Sequence, residues 1–189
     1  AGVKMYTLKS PDGKVKLEVT AGQGIAYSLF YDGRLLLKPS RIALHTDLPE
    51  ADHWENIRIT GTKQRHVSET VQAPFYRVKE FGIDCNELEL RLNNGFSLLM
   101  RAYNDGMAYR FVAGRKGEMT VVEERAEFNF ADDFEAYIPY STNPKDPWNM
   151  AFQNFYTKAP LTQYNTELPA FLPLTVDAGA VKLTLLESD

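Results

Sequence analysis

Glu87-Leu88-Glu89-Leu90-Arg91-Leu92-Asn93-Asn94-Gly95-Phe96-Ser97-Leu98-Leu99-Met100-Arg101-Ala102-Tyr103-Asn104-Asp105-Gly106-Met107-Ala108-Tyr109-Arg110-Phe111 is the stretch that decides how the rest of the chain folds. Leu88, Leu90 and Leu92 fall on one side of an extended backbone and Glu87, Glu89 and Arg91 on the other, the period of two that marks a half-buried strand. Asn93-Asn94-Gly95 and Asn104-Asp105-Gly106 interrupt the alternation with residue types that tolerate positive φ in tight turns. Residues 97–100 have apolar neighbours in sequence, as expected of a more central strand. Together these signals predict strands over 76–82, 87–92, 96–103 and 107–113, with Asp84-Cys85-Asn86 as the first connection. The result is an antiparallel meander over a core.

Upstream, Ser10-Pro11-Asp12-Gly13 reads as a turn before Val15, Leu17 and Val19, which alternate with Lys14, Lys16 and Glu18. Asp32-Gly33, between residues 25–31 and 34–38, is the dipeptide of a two-residue hairpin turn. Residues 46–56, with Pro49, four acids and one histidine, break the alternation and read as an exposed loop; Ile57 and Ile59 resume it. Downstream, strands are expected at 119–130, 135–140, 174–176 and 181–187. The Pro/Asn-rich run 141–149 and the segment 160–173 read as loops, and Asp177-Ala178-Gly179 as a turn. Helical periodicity is scarce, and there is no internal repeat or low-complexity linker. About a dozen or more short strands at this spacing predict an all-β fold. It is read as one large antiparallel two-sheet sandwich domain over 1–189.

The chain has 189 residues, 44% of them hydrophobic, so it can bury a core without disulfides or metals. Its net charge is −4, with 25 acidic against 21 basic residues and no Lys/Arg-rich run, which argues against a nucleic-acid partner. One cysteine, Cys85, makes no internal disulfide, and cysteine usage leaves the compartment open. No apolar stretch approaches the roughly 18 residues of a membrane-spanning helix. Ala1-Gly2-Val3-Lys4 does not read as a signal peptide, although a processed chain has lost one.

Several of these strings resemble the amino-terminal domain of glycoside hydrolase family 97. They are Asn86-Glu87-Leu88, the run Arg101 to Phe111, Tyr31-Asp32-Gly33-Arg34 with Ser40 beyond it, and the closing Leu185-Leu186-Glu187-Ser188-Asp189. The resemblance covers the whole chain, and Arg-x-Tyr-Asn-Asp-Gly-x-Ala-x-Arg-Phe is its most specific part. It implies a galactose-mutarotase-like β-super-sandwich that packs on a (β/α)₈ barrel, with a small carboxy-terminal β domain after it. It implies an exo-acting α-glucosidase or α-galactosidase that binds Ca²⁺, acts on α-linked oligosaccharides and is periplasmic or secreted. The barrel carries the catalytic carboxylates in that family, so this chain, matching the first domain only, is expected to contain no catalytic residue and to give no turnover alone. The resemblance also implies that Glu187, at the end of the last strand, reaches across to the barrel as a calcium ligand. An ion that takes six to eight oxygens needs further partners, so weak or absent binding is expected from this chain by itself.

Each candidate also has a plainer reading. Spacing alone makes Glu187 a solvated carboxylate at a strand end. Asn104-Asp105-Gly106 is first a hairpin turn, and Arg101 and Arg110 beside it suit a cross-strand pairing or an interdomain contact. Asn86 and Glu87 read as turn and strand-face residues. His45, His53 and His66 lack metal-ligand spacing and read as surface histidines. Cys85 reads as an inert thiol. Trp148 is the candidate substrate-binding residue: its ring suits stacking on a pyranose, and equally suits plugging an open end of the sandwich or a domain seam. Tyr156 and Tyr164 share that choice. A stand-alone carbohydrate-binding or protein-interaction module is the alternative to a domain that completes an enzyme's site.

Overall fold

The computed structural model describes residues 3–149 and 154–188. Ala1, Gly2 and Asp189, which closes the acidic tip quoted above, lie outside the described residues. The chain divides into two compact units, residues 1–129 and 130–189. Both are built from antiparallel strands, and the described residues contain no α-helix.

The first unit is a sandwich of two sheets. One sheet has the order β1-β2-β3-β4-β9, formed by Met5–Lys9, Val15–Gly22, Gly24–Tyr31, Arg34–Thr46 and Val121–Ala126. The other is a meander in the order β5-β6-β7-β8: Ile59–Gln72, Glu80–Leu92, Phe96–Tyr103 and Gly106–Ala113. Period-two alternation supplies the core. Leu17, Val19, Ile25, Tyr27, Leu37 and Ile42 point inward from the first sheet, and Leu88, Leu90, Leu92, Leu98 and Met100 from the second. Tyr27 meets Tyr109 with ring centroids 6.0 Å apart. Burial raises the Tyr27 hydroxyl far above its usual pKa, and its proton goes to the Glu127 carbonyl at 3.2 Å. Tyr109 is pushed up to about 12 by burial and by the nearby Glu124 carboxylate.

Turn chemistry sets the registers. Tyr31 pairs with Arg34, leaving Asp32 and Gly33 as a two-residue loop with φ of 48° and 79°, the twist that matches flanking strands. Tyr103 likewise pairs with Gly106 around Asn104-Asp105, and Asn104 Oδ1 accepts the Asp12 amide at 3.0 Å, tying this turn to the β1–β2 turn. In β4 the register shifts twice, accommodating Pro39, which has no amide to donate to a ladder. The buried Ser40 hydroxyl closes the gap, donating to the Lys38 carbonyl and accepting the Asn129 amide.

Three expectations need correction. The predicted turn at Asp84-Cys85-Asn86 does not exist: β6 runs unbroken through it, paired to β5 throughout. Its polar side chains are used across the strands. Asn86 Oδ1 lies 2.9 Å from His66 Nδ1, Asp84 Oδ1 lies 3.0 Å from His66 Nε2, and Asn86 Nδ2 donates to the Lys9 carbonyl. The connection is instead at 74–79, and it takes in the first residues of the stretch read as a strand at 76–82. Second, the segment read as an exposed loop at 46–56 folds back: Ala51 and Trp54 are buried, with Trp54 packed on Phe96 and Phe111. Backbone bonds from Ala51 and Asp52 to the Leu48 carbonyl form the turn that aims the indole inward. Third, β9 is shorter than the strand expected over 119–130.

The second unit is a sheet in the order β11-β10-β12-β13, formed by Thr157–Pro160, Glu135–Ile138, Leu174–Asp177 and Lys182–Leu185. Ala136, Ile138 and Val176 are its buried centre, with Phe130, Phe134, Tyr140, Leu161 and Tyr164 packed around them. β11, unforeseen in the sequence, pairs with β10 even though its last residue is Pro160, tolerated at an edge.

Gly33 tests the turn argument without a packing complication, because a Cβ there meets nothing within 4 Å. Gly33→Ala is expected to destabilise the chain by about 1 kcal/mol, the cost of a left-handed alanine, with Gly33→Asn costing less. Urea denaturation midpoints of the two variants check this.

Candidate functional site

Glu187 lies two residues beyond the last described strand, which ends at Leu185, and its side chain is exposed. Among the described residues no group of three or more His, Cys, Asp or Glu is arranged to hold a metal ion. A carboxylate supplies at most two of the six to eight oxygens calcium takes. Glu187 offers one exposed carboxylate, and the described residues do not form a cage around it.

Trp148 is 73% exposed and touches Phe171 edge-on, with centroids 6.5 Å apart. One ring face is thus available for contact. Tyr156 is half-exposed, its hydroxyl donating to the Pro173 carbonyl at 3.3 Å. Tyr164 packs on Tyr140 at 5.3 Å and belongs to the core of its unit, which removes it from the stacking candidates.

The most constrained polar group is one read from sequence only as a strand-face residue. Glu87 is 5% exposed in the middle of β6, on the side of the sheet opposite Leu88 and Leu90. Its cross-strand neighbours are Arg65 on β5 and Arg101 on β7. Arg65 Nε donates to Oε1 at 2.7 Å and Arg101 Nε to Oε2 at 2.8 Å, so both carboxylate oxygens are engaged. Burial pushes the Glu87 carboxyl upward, but the bonds and charges of the two guanidinium groups outweigh it and hold the pKa below the usual range. Arg101 is held strongly protonated by the Tyr103 hydroxyl and by Glu87.

The row extends across the outer surface of this sheet. Lys63, Arg65, Glu87, Glu89, Ser97, Leu99 and Val112 line a shallow basin of about 310 Å³. Arg91 lies across Gly61, where an added Cβ would clash with the guanidinium, so the glycine makes room for that side chain. On this face Lys63, Arg65, Arg91, Arg101 and Arg110 outnumber Glu69, Glu87 and Glu89, although the chain as a whole carries −4. The pairing expected of Arg101 is thus present, whereas Arg110 stands exposed opposite Leu99. The sequence signal for the clamp was the register itself: Glu87 faces Arg101 once the Asn93-Asn94-Gly95 turn is placed, but Arg65 requires knowledge of β5.

The remaining candidates carry no chemistry of their own. His45 pairs with Asp52 at 2.7 Å and sits edge-on to Trp54. Cys85 is buried behind Tyr103 and Arg101, and burial raises its thiol pKa, which agrees with an inert role.

The glycosyl-hydrolase 97 N-terminal family model matches residues 8–189. The chain belongs to this family. It is 39% identical to the retaining alpha-galactosidase of Bacteroides thetaiotaomicron over 98% of its length, covering 29% of that protein. It is 26% identical to a probable retaining alpha-galactosidase of Streptomyces bingchenggensis, over 82% of this chain and 24% of the relative. The chain thus spans less than a third of the curated relatives it matches. Among solved structures, a glycoside hydrolase family 97 enzyme from Pseudoalteromonas sp. strain K8 in complex with acarbose matches 90% of this chain and 26% of its own, with a TM-score of 0.73 at 19% identity. A beta-arabinopyranosidase matches 90% of this chain and 29% of its own, with a TM-score of 0.77 at 22% identity. At those identities the structures establish the β-sandwich fold alone.

Glu87→Gln is expected to destabilise the chain by about 2–3 kcal/mol at pH 7, the range of charge-assisted hydrogen bonds, and less than a fully buried pair because both arginines reach solvent. Since the folded pKa is depressed, the carboxylate's contribution is complete above the ordinary value of 4.5 and is lost as pH falls through the folded pKa. The gap between wild type and variant should therefore narrow once the pH falls below 4.5 and close only below the depressed folded pKa, as followed by denaturation midpoints at stepped pH.

Proposed function

We propose that this chain is the non-catalytic amino-terminal domain of a calcium-dependent, exo-acting, retaining α-galactosidase. The observation that carries the reading is the 39% identity, over 98% of the chain, to the retaining alpha-galactosidase of Bacteroides thetaiotaomicron. The family resemblance alone left glucosidase and galactosidase equal, and the two curated relatives weigh toward galactosides. Retention requires two carboxyl groups about 5–5.5 Å apart across the scissile bond. Those groups belong, on this reading, to a barrel domain of the same polypeptide.

The role of the present chain is to pack on that barrel and deliver Glu187 to its substrate face. The position of Glu187 favours delivery: it is exposed, beyond the last paired residue, and close in sequence to a strand that fixes its approach. The bound Ca²⁺ would supply Lewis-acid or orienting contacts to sugar oxygens. Trp148, with one edge held by Phe171, presents a ring face suited to a pyranose. An α-linked oligosaccharide is the substrate class, and a periplasmic or secreted setting accords with it.

In the full-length polypeptide, Glu187→Gln is expected to lower calcium affinity about tenfold or more and to lower hydrolysis of an aryl α-galactoside with it. Calorimetric calcium titration and initial rates read the two effects, and unchanged values for both would remove Glu187 from the site. The 189-residue chain alone is expected to release no phenol from aryl α-galactosides or α-glucosides. Turnover that copurifies with it would overturn the non-catalytic assignment.

A further inference from the structure

The two faces of β6 change roles along its length. From Leu88 to Leu92 the even-numbered residues are apolar and enter the sandwich core. β7 pairs with β6 only from Cys85 onward, so before that point β5 and β6 form a two-stranded ribbon, residues 68–84. In this ribbon the apolar residues occupy the opposite, odd-numbered face. Val71 pairs across to Phe81 and Glu69 to Ile83, and Val67 to Cys85 marks where the ribbon joins the sheet. The even-numbered face carries Ser68, Thr70, Gln72, Glu80 and Asp84. The ribbon is amphipathic, and its apolar side continues the outer face of the β5–β8 sheet.

Among the described residues of this unit, none covers that side fully. Phe81 is 44% and Val71 41% exposed, and Phe75 at the ribbon's end is 97% exposed. A two-stranded ribbon with solvated apolar side chains is marginally stable in water, and contiguous exposed apolar surface marks an interaction site. Beside it lies the cationic surface described above, where Glu87 fixes the guanidinium groups of Arg65 and Arg101 while Arg65 stays more than half exposed. An apolar strip adjoining fixed arginines has the composition of a specific protein interface.

We infer that the outer face of the β5–β8 sheet, together with the apolar side of the 68–84 ribbon, is the docking surface for a further domain of the same polypeptide that presents carboxylates at the contact. This deepens the reading of the chain as one domain of a longer glycosidase and rests on it. Charge complementarity selects the partner: the surface is cationic on an acidic chain, so a second copy would bring the same cationic excess against itself. Length selects the same polypeptide. The curated relatives are more than three times as long as the matched region, and a covalently linked partner docks at high effective concentration.

Hydrogen–deuterium exchange of the full-length polypeptide, compared with the 189-residue chain, tests the assignment. Peptides covering 68–84 are expected to exchange about tenfold or more slowly in the full-length polypeptide, and Phe81→Asp should abolish that difference while leaving exchange of β2 and β3 unchanged. Equal exchange of 68–84 in both proteins overturns the proposal. So does protection that appears in the 189-residue chain with rising concentration, which identifies a second copy as the occupant. Galactosidase assays on the same full-length sample separate the two readings: an inactive polypeptide with a protected ribbon refutes only the catalytic assignment, and an active one with an unprotected ribbon refutes only the docking surface.

Discussion

The strict alternation of β6 is the constraint on which the first unit depends. Side chains on a strand leave opposite faces with a period of two, so a single register decides both what enters the core and what lines the outside. With Leu88, Leu90 and Leu92 committed inward, Glu87, Glu89 and Arg91 are committed outward. A slip of one residue would bury three charged groups and expose three leucines. The clamp on Glu87 reinforces the choice, since the neighbours it needs, Arg65 and Arg101, stand opposite it only in this register.

The same constraint shapes the outer surface. A buried carboxylate costs free energy unless both oxygens are bonded, and here two guanidinium groups bond it while adding positive charge to the outer surface. The outer face is thus cationic where it joins the apolar ribbon. The second unit is organised differently. Its small core of Ala136, Ile138 and Val176 supports a sheet whose last strand leads to Glu187, and Trp148 rests on Phe171 in the same unit. The glycosyl-hydrolase 97 N-terminal family model extends over residues of both units.

Much of the fold was legible because its signals are local. Asp32-Gly33 and Asn104-Asp105-Gly106 announced their hairpins, and the structure has both. The errors came where a polar or turn-forming residue was used non-locally. Asp84 and Asn86 looked like a turn because Asp and Asn bond their own backbone in short loops, but their side chains instead reach His66 and Lys9. Trp54 looked like part of a solvated loop because acids and a histidine surround it, yet its indole completes the aromatic cluster of Phe96 and Phe111. Strand β11 was missed because Thr157 to Pro160 has neither alternation nor apolar character, and only its pairing with β10 makes it a strand.

By itself the sequence determined the class of fold, the period of its strands and most of its tight turns, because each depends on a few consecutive side chains and the backbone conformations they permit. It also determined the family, through the run from Arg101 to Phe111 and the acidic end that contains Glu187. Tertiary structure alone decided that Glu87 is buried between two arginines from different strands, that Trp54 is core, and that residues 68–84 stand out as a ribbon with its apolar side turned away from the sandwich. These outcomes depend on which strands become neighbours. That is settled by long-range pairing, a property no single stretch of chain contains.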